Sequence, residues 1–179
     1  MPRHLILVGL PGSGKSAVGL QTAESLGARL FDIDSLLVRE MGMPVEQIFG
    51  MVGETRFREM EHKAVLAAVA AEEPAVIVPG GGWAAQPGVW DRLPEGSVVV
   101  WLQVSAAEAI RRLEQDEVVR PLLAQADMAS HMVRLEGERT LAYSRAHLAV
   151  ETDGSTPEAV AEQVAARLVS EYGIDGRSD

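Results

Sequence analysis

A lysine set between glycine and serine, with another glycine six residues before it, can grip phosphate. The run Gly9-Leu10-Pro11-Gly12-Ser13-Gly14-Lys15-Ser16 has that spacing. Its glycines allow backbone N–H groups to turn inward around phosphate oxygens, which assigns Gly12, Ser13, Gly14, Lys15, Ser16 and Ala17 to nucleotide binding. Lys15 can reach the β- and γ-phosphates, and the Ser16 hydroxyl can ligate Mg²⁺. The helix that follows adds its positive N-terminal end. Lys15 is one of only two lysines, against fourteen arginines, so lysine richness does not explain the triplet.

Other positions suit the receiving side of a phosphoryl transfer. Asp32 and Asp34 follow an apolar run, and strand alternation would place both carboxylates on one side. Asp32 is the carboxylate placed to act through metal-bound water. Asp34 faces an incoming hydroxyl or caps a helix, and local sequence does not separate the two. Glu54, Arg58 and Glu61 fall at i, i+4 and i+7, so carboxylates on both sides can orient a guanidinium; a solvated ladder has the same spelling. Gly80, Gly81 and Gly82 follow a strand directly, and three missing side chains let a ligand touch backbone. Arg120-Pro121 lies in an aperiodic stretch, as on a lid closing over triphosphate. Neither the third nor the fourth strand ends in an acid and no Asn-Lys-x-Asp occurs, which favours a small kinase over a motor or a switch.

These groups require a scaffold of alternating strands and helices. Strands are predicted at 4–8, 29–33, 75–79, 97–102 and 147–152. Helices are predicted at 15–26, 35–41, 54–71, 106–115, 128–143 and from Thr156 to 172, with a further turn at 44–49. The pattern predicts an α/β fold: a five-stranded parallel sheet with helices on both faces, of the P-loop kinase type, with a lid at about 116–126. Ligands then sit beyond the carboxyl ends of the strands. Residues 1–172 are read as one domain and 173–179 as a frayed tail.

The totals limit the partners. A 179-residue chain with 47% hydrophobic residues can bury a sizeable core. A net charge of −10 leaves no basic footprint for nucleic acid. The longest apolar run, residues 64–71, is far short of the ~20 residues of a membrane span. Zero cysteines exclude disulfides, and four scattered histidines lack metal-ligand spacing. A cytoplasmic monomer acting on a small molecule is expected.

The ordered set of motifs resembles the shikimate kinase family from Leu5 to about Leu168. It comprises residues 9–16, Asp32-x-Asp34, Gly53-Glu54-x-x-Phe57-Arg58-x-x-Glu61 and Gly80-Gly81-Gly82. Arg112, Arg120-Pro121-Leu122-Leu123, Glu138-Arg139 ahead of Tyr143, and Thr152-Asp153 ahead of Pro157 complete it. The resemblance implies that ATP phosphorylates the 3-hydroxyl of shikimate, in aromatic amino-acid biosynthesis. It also implies that Arg58 and Arg139 clamp the shikimate carboxylate, that Asp34 holds ring hydroxyls, and that Gly80, Gly81 and Gly82 lie against the ring. Arg120 and Lys15 would stabilise the moving phosphoryl group, and Arg112 and Pro157 would sandwich adenine. Two departures adjoin the acceptor side: Trp83, where a small residue is usual, and Arg139-Thr-Leu-Ala-Tyr143, which lacks the family's proline. They keep a kinase for another hydroxy acid, such as gluconate, as the alternative. A nucleotide-binding module without catalysis would be expected to carry a damaged Lys15, Asp34 or Arg58, and all three are intact.

Overall fold

The computed structural model of the chain describes residues 4–115 and 128–173. The expected lid at 116–126, with Arg120, lies outside the described residues, as does the tail beyond Gly173. In chain order the elements are β1 (His4–Val8), α1 (Lys15–Leu26), β2 (Arg29–Asp32), α2 (Ile33–Met41), α3 (Val45–Val69) and β3 (Ala75–Val78). They continue with β4 (Ser97–Gln103), α4 (Ala106–Gln115), α5 (Met128–Tyr143), β5 (Leu148–Glu151) and α6 (Pro157–Tyr172). Two single-turn 3₁₀ helices, Trp83–Ala85 and Trp90–Arg92, lie between β3 and β4.

The five strands form one sheet in the order β2-β3-β1-β4-β5, and every pairing is parallel. Alternation along the strands divides the core in two. Ile6, Val8, Ile77 and Val99 face the layer that includes α2, α3 and α5. Leu5, Leu7, Val76, Val98 and Val100 face α1 and α6. A parallel sheet covered on both faces needs continuous apolar strands, and β1 and β3 are buried at every position. Burying each large aliphatic side chain contributes about 1.5–3 kcal/mol. Among the described residues no helix is long and apolar enough to cross a membrane.

Two expectations are corrected. β2 stops at Asp32 rather than residue 33, because Asp32 caps α2: its carboxylate accepts a hydrogen bond from Ser35 N at 3.0 Å. Asp34 is therefore not the cap but lies in the first helical turn, and strand alternation does not relate the two carboxylates. The turn at 44–49 and the helix from 54 join into α3, which breaks only at Gly53 (φ 77°, ψ 167°). That break turns the short leading segment away from the axis of the Arg58 helix. The final cap is as expected, with Thr156 Oγ1 accepting from Ala159 N at 3.3 Å.

Candidate active site

The carboxyl end of β1 runs into the glycine-rich loop, and α1 begins at Lys15. Gly12 (φ 79°) and Gly14 (φ 84°) hold left-handed conformations that a side chain would strain. Gly14 occupies the N-cap position of α1 and has no side chain to satisfy the first N–H groups, so these can serve an anion. Lys15 Nζ donates to the carbonyls of Gly9 and Leu10, each at 3.0 Å, which folds the amine over the loop. Ser16 Oγ donates to Asp32 Oδ2 at 2.6 Å. The two Asp32 oxygens thus tie the start of α1 to the start of α2. Ala17 is exposed in the first turn of α1.

Three glycines follow β3 and assemble a second cluster. None of Gly80, Gly81 and Gly82 has positive φ, so they are glycine for space rather than for backbone conformation. A Cβ on Gly80 would press on Glu61 Oε1 and stand 3.3 Å from Asp34 Oδ1. One on Gly81 would stand 2.9 Å from Arg139 Nη1 and 3.3 Å from the Gly9 carbonyl of the phosphate loop. One on Gly82 would fall 2.7 Å from Arg58 Cζ. Asp34, Arg58 and Arg139, three residues separated by dozens of positions in the chain, therefore converge on one backbone segment beside the loop.

Arg58 has carboxylates on both sides but is hydrogen-bonded to only one of them. Its Nη1 donates to Glu61 Oε2 at 2.9 Å, while Glu54 is exposed and 4.0 Å from Nε. Glu61 has no exposed surface. Burial pushes its carboxyl up to about 6; Arg58 and the Gly80 backbone pull it back, and the nearby Asp34 charge adds to the rise. The Arg58 guanidinium also lies 5.6 Å and 6.0 Å from the ring centroids of Phe57 and Phe49. The sequence spacing did not distinguish this pairing from a solvated ladder; burial does.

Two contributors were not marked as site residues in the sequence. Tyr143, one turn after Arg139 on α5, is 1% exposed and donates its hydroxyl to the Gly81 carbonyl. Its position four residues from Arg139 was the available signal. Trp83 was noted only as a departure. It is wholly buried, its ring is centred 6.4 Å from that of His62, and its backbone N donates to the Gly80 carbonyl at 3.1 Å. It therefore presents no surface to an open cleft.

On the other side of the loop lies a cavity of about 450 Å³ whose walls include Ser13, Gly14, Arg112, Thr152, Pro157 and Val160. Arg112 and Pro157, paired in the sequence reading, both line it. Arg112 Nε donates to Glu108 Oε1 at 2.7 Å, Nη1 to Thr152 Oγ1 at 3.1 Å, and Nη2 to the Thr152 carbonyl. Thr152 Oγ1 donates in turn to the Gln103 carbonyl at 2.9 Å. Hydrogen bonds from Arg111 and then Arg112 hold the Glu108 carboxyl down at about 2.

The arrangement can bind a polyphosphate on the loop, a flat ring system beside Arg112, and an anionic acceptor between two guanidinium groups. Comparison with known proteins points to one family. The sequence model of a family described as shikimate kinase matches residues 11–169. A shikimate kinase of Mycobacterium avium is 40% identical over 169 residues, covering 94% of each chain. The structure of a shikimate kinase from Acinetobacter baumannii in complex with shikimate aligns with TM-score 0.87 and 27% identity, over 95% of this chain and 94% of that one. A gluconokinase from Sinorhizobium meliloti aligns with TM-score 0.67 at 19% identity, over 94% and 93% of the two chains, which is a likeness of fold alone.

Proposed function

The chain belongs to the shikimate kinase family, and from that premise we propose that it transfers the γ-phosphoryl group of ATP to the 3-hydroxyl of shikimate. The observation that carries this reading is the triglycine segment, which packs against Arg58, Arg139 and Asp34 within reach of the phosphate loop. Two guanidinium groups on one face suit a carboxylate, and an adjacent Asp suits a ring hydroxyl. The acidic chain thus gathers its cations where an anionic acceptor meets a polyphosphate.

In this reading the N–H groups of residues 12–17 cradle the phosphates, and Arg112 and Pro157 hold the adenine. Lys15 leaves the carbonyls of Gly9 and Leu10 for the β- and γ-phosphate oxygens. Arg58 and Arg139 bind the shikimate carboxylate, and buried Glu61 keeps Arg58 in orientation. Asp34 aligns the attacking hydroxyl and accepts its proton as the new P–O bond forms and ADP departs. Such transfers are loose, so alignment and charge neutralisation outweigh proton removal. Lys15 and Arg120 stabilise the charge on the moving group.

Mg²⁺ is the metal this donor set fits. The Ser16 hydroxyl and the Asp32 carboxylate form a hard-oxygen pair at the start of α1, so Ser16 would ligate the ion and Asp32 would act through its water. Bound there, the ion would neutralise phosphate charge.

The test is ADP release with Mg-ATP and a panel of hydroxy acids. Shikimate should give turnover and gluconate none. Absence of turnover at millimolar shikimate sinks the reading, and preference for gluconate replaces it. The burial of Trp83 removes one of the two sequence features that had favoured a different acid.

A further inference from the structure

All three carbonyls of the glycine segment are occupied. Gly80 O accepts from Trp83 N at 3.1 Å. Gly82 O accepts from Ala85 N at 3.3 Å and Gln86 Nε2 at 3.2 Å. These two anchors are local and come with the 3₁₀ turn that follows. The third is not local: Gly81 O accepts from the hydroxyl of Tyr143, 62 residues away.

Tyr143 and Arg139 lie one turn apart on α5, so they reach the same neighbour. Arg139 Nη1 stands against the Cα of Gly81 while the Tyr143 hydroxyl holds its carbonyl. The tyrosine ring is buried and packs 5.9 Å, centroid to centroid, from Trp101 of β4, which leaves the hydroxyl little freedom to move. A trans peptide is planar, so fixing one carbonyl fixes the N–H on its other end. The Gly81–Gly82 plane, and with it the Gly82 N–H beside Arg58, is therefore set from α5.

We propose that Tyr143 is a positioning residue for the acceptor: its hydroxyl locks the glycine segment to α5, so that Arg139 and the segment keep one relative placement. The proposal rests on the shikimate kinase reading and assigns Tyr143 no contact with the reacting atoms. Burial raises the phenol above its ordinary range despite the opposing pull of Arg139 and Arg58, so the group stays a protonated donor through neutral pH.

Removing the hydroxyl by Tyr143→Phe keeps the ring and its packing. The expected result is a rise of about ten-fold in the shikimate KM, with kcat changed less than three-fold and the ATP constant unchanged, the pattern of lost uniform binding. A merely structural tyrosine would lower the melting temperature and leave the shikimate constant where it was; that outcome overturns the proposal. Should the variant fail to fold, a second measurement decides. Tyr143 and Tyr172 are the only tyrosines, so 3-fluorotyrosine in a Tyr172→Phe background gives a single ¹⁹F resonance from Tyr143. It should move on addition of shikimate and hold still with ADP alone; no movement with shikimate overturns the proposal. A parent protein inert toward shikimate removes the functional reading and this inference with it. An active parent whose Tyr143→Phe variant keeps its shikimate constant removes this inference alone.

Discussion

Arg58 on the proposed acceptor side and Arg112 on the proposed nucleotide side each pair with a glutamate one helical turn away, yet the two glutamates respond in opposite directions. Glu61 is driven up to about 6, and Glu108 is held down at about 2. Glu61 lies wholly beneath the glycine segment, with the charge of Asp34 nearby, so desolvation outweighs its single arginine. Glu108 remains partly in contact with solvent and is shared by Arg111 and Arg112. An ion pair alone does not set a carboxylate's behaviour; what surrounds it does. The two arginines are alike part-buried; the difference lies in the glutamates, one wholly taken out of water and the other still touching it.

The contrast is broken most sharply at Lys15, which is proposed, with Arg120, to act on the group that passes between the two sides. Lys15→Ala should lower kcat by ~10³-fold or more with any acceptor, as expected when charge stabilisation of a transferring phosphoryl group is lost. Shikimate affinity measured by calorimetry should stay within a few-fold. Substantial residual turnover would show that the loop is not the phosphate grip.

Arg58→Lys tests the acceptor side alone. Losing a bidentate fork should weaken shikimate by about 1.5–3 kcal/mol, roughly 10- to 150-fold, with ATP affinity untouched. An unchanged shikimate constant removes Arg58 from the site.

Glu61 tests the electrostatic difference itself. Its folded pKa of about 6 lies above the ordinary 4.5, so the neutral form is favoured by folding. The stability it contributes is fully present below pH 4.5 and is lost as pH rises through 6, a swing of about 2 kcal/mol. Denaturant titrations should show the parent gaining on Glu61→Gln by up to that amount as pH falls from 7 to 4.5. A constant difference would mean that Glu61 does not titrate there.

The smallest effect is expected at Thr152. Thr152→Val removes the hydroxyl that bridges Arg112 and the Gln103 carbonyl in nearly the same volume. ADP binding should weaken by about 0.5–1.5 kcal/mol, with the shikimate constant unchanged. A loss on the shikimate side would mean that the two halves are coupled through β5.

Much of this molecule was legible before any fold was known. The proposed phosphate loop is contiguous, and the role proposed for it resides in backbone groups and one lysine, so eight residues carry the signal. Element boundaries followed from local rules: Gly27 and Gly42 end helices in left-handed conformations, Thr156 caps the last one, and apolar runs mark the strands. The i, i+4, i+7 spacing of Glu54, Arg58 and Glu61 on α3 likewise brought that arginine and its carboxylates to notice. Tertiary structure alone decided that Glu61 is buried while Glu54 faces water, that Asp34 turns toward Gly80 once Asp32 has taken the cap, that Trp83 packs inward on His62, and that Tyr143 reaches Gly81. Desolvation and hydrogen bonds across 62 residues depend on which surfaces the sheet brings face to face, and no local pattern of residue types encodes that.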